Sequence, residues 1–144
     1  MHDLISLDNI IIIDSVKDWL EAIETAVRPL VENEYVEERY IQAIIDNTKE
    51  YGPYYVLAPN IAMPHARPDQ GVLKKQIGIL LLRNPIKFSE DGYEVRLIIT
   101  LAATDSKSHL EALGRLSELL GNDAHVSKII DAQDKEEIYR LFQL

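Results

Sequence analysis

The sequence predicts an α/β fold: a three-layer α/β/α sandwich in which helices flank a mixed sheet of about four to five strands. Three observations carry that expectation. Two segments, Gln76 to Leu82 and Val95 to Ala102, are almost continuously apolar, as strands covered on both faces are. Before and after them, apolar residues recur at helical spacing. The order along the chain is one strand, two helices, several strands and then helices again, which layers helices over a sheet.

The elements follow in order. Ile10 to Ile13 is a β-branched run bounded by Asn9 and Asp14, and reads as a buried strand. Val16, Trp19, Leu20, Ile23, Val27 and Leu30 then fall on one helical face, with Asp14 or Ser15 placed to cap the start and Pro29 near the end. A second amphipathic helix turns Val36, Tyr40, Ile41, Ile44 and Ile45 inward and is expected to stop before the breaker pair Gly52-Pro53. Tyr54 to Leu57 reads as a strand, interrupted by Pro59-Asn60. Ile61-Ala62-Met63 is a short extended piece, because the residue before a proline is pushed toward extended geometry. Pro85 to Phe88 is a candidate short strand, and Glu90-Asp91-Gly92 a turn. In the last third, Ser108-x-x-Glu111 has capping-box spacing, Leu110, Leu113, Leu116 and Leu120 continue an apolar stripe, and Gly121-Asn122 ends it. Two shorter helices are expected from about Asp123 and about Asp134.

A chain of 144 residues fits one domain and can bury a proper core without disulfide or metal staples. It has no cysteine, which removes disulfides, thiolate zinc sites and cysteine nucleophiles, and is compatible with the cytosol. The net charge of −9 comes with no basic stripe, so no nucleic-acid partner is expected and a basic protein partner is favoured. No apolar run approaches the length of a bilayer span, and the first residues lack the basic and apolar regions of a signal peptide. No nucleotide-binding glycine loop and no GxSxG elbow is present.

Four histidines are the candidates for chemistry. His2 sits at the terminus and His125 early in a short helix without obvious partners, more in keeping with a surface or capping residue. His65 stands on a loop stiffened by Pro64 and Pro68, with the small Ala66 after it and Arg67 beside it. A fixed imidazole suits nucleophilic or acid–base work, and the planar fork of Arg67 can neutralise an anion. Local features alone also admit a turn histidine packed against a proline. His109 follows a strand in the loop that opens a helix. With Ser108 or Ser106 as N-cap it lies in the first turn, where free N–H groups and the positive end of the dipole favour phosphate and a neutral imidazole. A metal site is the rival use, but no HxxxH or HxxH pair exists. Asp18, Glu21 and Glu24 read as a solvated helix face.

The stretch Asn60-Ile61-Ala62-Met63-Pro64-His65-Ala66 resembles the active-site signature of the fructose/mannitol-type IIA domains of the phosphoenolpyruvate-dependent phosphotransferase system, which reads apolar-Ala-apolar-Pro-His-small. His109, opening HLEALGRLSELL, is similar in placement to that family's second histidine. The resemblance spans essentially the whole chain, one domain over residues 1–144. Tyr51-Gly52-Pro53-Tyr54-Tyr55-Val56 leading into NIAMPHARPDQGV looks like the branch serving L-ascorbate and related polyols and pentitols. Two positions depart: Ala66 stands where mannitol-type members have glycine, and Lys49-Glu50 where they have an Arg-Glu pair. Lysine offers a point charge in place of a bidentate fork.

The resemblance implies a cytoplasmic phosphoryl relay without cofactor or metal. The carrier HPr hands a phosphoryl group to His65, His65 passes it to a cysteine of a cognate IIB protein, and a membrane IIC protein moves the sugar. His109 is then the phosphoryl-stabilising histidine, and Arg67, Lys49 and Ser108 are the phosphate-binding candidates. A regulator of the same fold, phosphorylated on His65 but acting by binding a partner, is the alternative. A homodimer is compatible with the sequence.

Overall fold

In the computed structural model, which describes residues 3–143, four strands form one mixed sheet. They are β1 (Ile5–Ile13), β2 (Asn60–Ala62), β3 (Gln76–Lys87) and β4 (Glu94–Ala102), in the spatial order β1-β3-β4-β2. β1 runs parallel to β3, β3 antiparallel to β4, and β2 parallel to β4. The helices are α1 (Trp19–Glu32), α2 (Arg39–Tyr51), α3 (Ser106–Leu120), α4 (Asp123–Ile130) and α5 (Lys135–Leu141), with a single 3₁₀ turn at Pro68–Gln70.

The period-2 alternation of the central strands builds two cores. Leu80, Leu82, Val95 and Ile98 face α1 and α2. Ile77, Ile79, Leu81, Leu97 and Ile99 face α3, α4 and α5. Each such side chain contributes about 1.5–3 kcal/mol by leaving water, which is why the near-continuous apolar runs had to be central strands. The expected three-layer architecture is therefore present, with four strands. Among the described residues no helix is long and apolar enough to cross a membrane.

Several local expectations are corrected. Tyr54–Leu57 is not a strand. The N–H of Tyr54 bonds the Gly52 carbonyl and that of Val56 the Pro53 carbonyl, so the segment turns and is held by its buried Tyr55. Pro85–Phe88 is no separate strand either: residues 85–87 end β3, beyond a bulge between Leu81 and Ile86 where a missing N–H is tolerated. β1 begins at Ile5, ahead of the apolar run, and carries its own irregularity between Ile5 and Ile10.

Helix starts also differ. α1 is capped by Asp18, whose carboxylate accepts the Glu21 N–H at 2.9 Å, and not by Asp14 or Ser15. Glu21 in turn accepts the Lys17 N–H at 3.2 Å, so two residues of the supposed solvated face serve the helix end. α3 is capped by Asp105, which makes Ser108 its third residue and not its N-cap. Leu20 and Leu110 lie outside the buried stripes, at 37% and 68% exposure. His125 does have a partner: its Nε2 donates to the Leu141 carbonyl at 2.7 Å and ties α4 to the end of α5. His2 lies outside the described residues.

Candidate functional site

Because β2 and β4 are parallel neighbours, the segments leaving them emerge at the same end of the sheet. One carries His65, the other runs into α3 and carries His109. Crevices beyond the carboxyl ends of parallel strands are where open α/β sheets place their ligands. The two imidazole centroids lie 4.9 Å apart with the rings inclined at 55°.

His65 is half-buried, and its Nδ1 is 2.9 Å from the Met63 carbonyl oxygen. A carbonyl only accepts, so Nδ1 carries a proton, and in the neutral ring the lone pair is on Nε2. The backbone around the ring is held at three consecutive residues. The Pro64 carbonyl accepts the Leu101 N–H at 3.1 Å. The His65 carbonyl accepts from the Tyr54 hydroxyl. The Ala66 N–H donates to the Tyr40 hydroxyl at 3.0 Å. The Tyr54 ring also meets the His65 ring edge-on, with centroids 5.4 Å apart.

His109 is the fourth residue of α3, and its N–H already bonds the Asp105 carbonyl at 3.1 Å. Burial, and then the neighbouring His65, lower its pKa below the ordinary histidine value. Both causes favour the neutral ring. The positive end of α3 is taken up by its own cap: Asp105 accepts the Ser108 N–H at 2.7 Å, and that bond holds the Asp105 carboxyl below its usual range. Free amides for a phosphate are thus fewer than the sequence suggested.

The two rings line an open cavity of about 610 Å³ together with Tyr51, Tyr54, Arg67 and Leu110. Arg67 is mostly exposed and pairs with Asp69 at 3.2 Å. Lys49 is exposed and absent from this lining, although Asn47 and Tyr51 of the same helix contribute to it. Two residues from each, it points about 200° away around the helix. Ser108 is also absent from the lining. Its hydroxyl donates to the Asp105 carbonyl at 3.2 Å and faces a smaller hollow beside Gln76 and Glu111. Among the described residues no group of three or more His, Asp or Glu side chains is placed to hold a metal ion.

Sequence reasoning missed Tyr40, Tyr54 and Asp105 as parts of the site. Tyr40 reads as one more apolar-face residue of α2, and nothing in its spacing announces where the hydroxyl reaches. Asp105 was legible in principle, since Asp-x-x-Ser is an acceptable capping pattern.

Fold and site together define an α/β/α protein built around two facing imidazoles. The chain belongs to the family described as "Phosphoenolpyruvate-dependent sugar phosphotransferase system, EIIA 2", which it matches over residues 3–144. It is 39% identical over 138 residues to the mannitol-specific cryptic phosphotransferase enzyme IIA component of Escherichia coli K12, covering 96% of this chain and 94% of that protein. The solution structure of the mannitol-specific cryptic enzyme IIA from Escherichia coli superposes with a TM-score of 0.91 at 38% identity, over 98% of this chain and 96% of that one. The ascorbate-specific EIIA component of Salmonella typhimurium is 37% identical over 125 residues, 85% of this chain and 81% of that protein. The IIA mannitol enzyme of Escherichia coli, solved in complex with phosphorylated IIB, has a TM-score of 0.84 at 26% identity, over 96% of this chain and 98% of that one.

Proposed function

We propose that this chain is a cytoplasmic phosphoryl carrier that takes a phosphoryl group from phospho-HPr onto Nε2 of His65 and passes it to a cysteine of a cognate IIB protein. The observation that carries the reading is the Met63 carbonyl on Nδ1, which leaves Nε2 as the nucleophile on a ring lining an open cavity. The complex of a related IIA enzyme with phosphorylated IIB supports the onward step.

The transfer balances without a cofactor. The Nε2 lone pair attacks phosphorus in line, and the P–N bond to the HPr imidazole breaks with its electrons going to that ring. His65 becomes a phosphoimidazolium whose proton stays on Nδ1 and is donated in a hydrogen bond to the Met63 carbonyl. A IIB thiolate then attacks phosphorus, the P–Nε2 bond breaks, and the ring returns to neutral. His109, kept neutral, donates an N–H to a phosphoryl oxygen. Of the two candidate cations, Arg67 lines the cavity and Lys49 does not, so the neutralising role falls to Arg67. Both histidines come from one chain, and the relay needs no second copy. The sugar we infer is ascorbate-like or a related polyol, from the motif around Tyr54 and the ascorbate-specific relatives.

Incubated with phosphoenolpyruvate, enzyme I and HPr, the protein should gain one acid-labile phosphoryl group, and His65→Ala should abolish it. Label persisting in that variant would place the chemistry on another residue. Label that forms on His65 but moves to none of a panel of IIB domains would favour the regulatory alternative.

A further inference from the structure

Tyr40 belongs to α2 and does not line the cavity that the two imidazoles share. Its side chain is fully buried, and its hydroxyl makes three contacts. It accepts the Ala66 N–H at 3.0 Å, and its oxygen lies 2.8 Å from the Leu101 carbonyl and 3.3 Å from the Ala66 carbonyl. One hydroxyl has one proton, and the nearer Leu101 oxygen takes it. The Leu101 N–H donates in turn to the Pro64 carbonyl. Both neighbours of His65 are therefore tied to one residue of β4: Pro64 directly, and Ala66 through the tyrosine. From Leu101 the chain runs into Asp105, the cap of the helix that carries His109.

We infer that Tyr40 is a positioning residue for the phosphoryl transfer proposed above: its hydroxyl fixes the His65 loop against the strand leading to His109 and so sets the spacing of the two rings. The inference rests on the roles given to His65 and His109. A tyrosine serving only to fill the core leaves its hydroxyl unaccounted for, since phenylalanine would fill nearly the same volume without stripping water from a polar group. That desolvation shows in the hydroxyl pKa, which burial pushes well above the ordinary range. The contrast is Tyr55, also buried, whose hydroxyl meets Thr48 on the adjoining helix and reaches neither histidine loop.

The test is Tyr40→Phe, read in three ways. With phospho-HPr as donor, the rate at saturation should fall by roughly tenfold or more, because small misplacements of reacting groups are costly. KM should stay within about twofold, because the docking surface is untouched. In an NMR titration of the imidazoles, His109 should move up toward the ordinary histidine value as its packing loosens. Tyr51, Tyr54, His65, Arg67 and Asp105 are the other titratable groups around that cavity, and none is altered by the substitution. Ile79→Val, buried against the opposite helical layer, is the stability control and should leave the saturated rate unchanged. In the wild-type protein, the Ala66 amide should exchange slowly with deuterium. A normal rate with an unmoved His109 titration, an equal rate loss in Ile79→Val, or a fast-exchanging Ala66 amide would each overturn the inference. Absence of phosphoryl uptake by the wild type would instead remove the carrier reading, and the titration and exchange results would still decide the role of Tyr40.

Discussion

The choice between the two ring nitrogens of His65 is made by a backbone carbonyl two residues upstream. Pro64 biases the preceding Met63 toward extended geometry, and the Met63 oxygen lies 2.9 Å from Nδ1. His109 is shaped by different forces, burial and a second imidazole, which act on its charge. His109→Ala should still accept phosphate from HPr but pass it on poorly, and a normal relay to IIB would remove its assisting role. Its depressed pKa has a thermodynamic consequence. A histidine whose folded pKa lies below its unfolded value, about 6.5, binds protons more readily when unfolded. Its contribution to stability is complete above that value and is lost as pH falls from there through the folded pKa. Thermal unfolding of His109→Gln should lose less stability across that window than the wild type. Near pH 8 the two curves should run parallel, and curves parallel throughout would show that the ring is not destabilised by protonation.

Helix starts carry much of the site's placement. Replacing Asp18 by Ala should cost about 1 kcal/mol, the usual value of an N-cap, measured by denaturant unfolding. Asp14→Ala and Ser15→Ala, the positions that helical spacing first suggested, should cost little. A loss at either one comparable to that at Asp18 would mean that the helix begins earlier. Such boundaries are hard to read because Asp, Ser and Asn are common near helix starts and only the local geometry selects one. The central strands were legible because two-sided burial demands continuous apolar runs, which loops do not share. The first half of β1 was not, because Ser6, Asp8 and Asn9 fall where its ladder is irregular. Tyr54–Leu57 was misread for the opposite reason. Its aromatic and β-branched residues suit a strand, yet Gly52-Pro53 starts a turn whose local bonds claim the N–H groups of Tyr54 and Val56. The two histidines were legible through their prolines and helix start. The Tyr40 bridge was not, since it spans residues 40, 66 and 101 and no periodicity links them.

At the scale of the whole molecule, charge and contact surface are separate. The chain carries a net charge of −9, while the cavity mouth presents Tyr51 and Leu110 at 67% and 68% exposure. On the proposed reading, long-range attraction steers a basic partner to the surface and apolar contact seats it there. These two contributions respond differently to salt. Screening shortens the reach of the net charge from about 30 Å at 0.01 M to about 3 Å at 1 M ionic strength, but it has little effect on apolar contact. For phosphorylation by HPr, KM should therefore rise several-fold between roughly 0.05 and 0.5 M salt. The rate at saturation should remain flat, because the reacting groups are fixed by short contacts within the site. A KM indifferent to salt would assign recognition to the apolar rim alone, and a saturated rate falling with salt would mean that Arg67 acts on the phosphoryl group from its exposed, screened position and not by short contact. Arg67, the exposed cation of the cavity, is the residue whose replacement by Gln would then separate those outcomes.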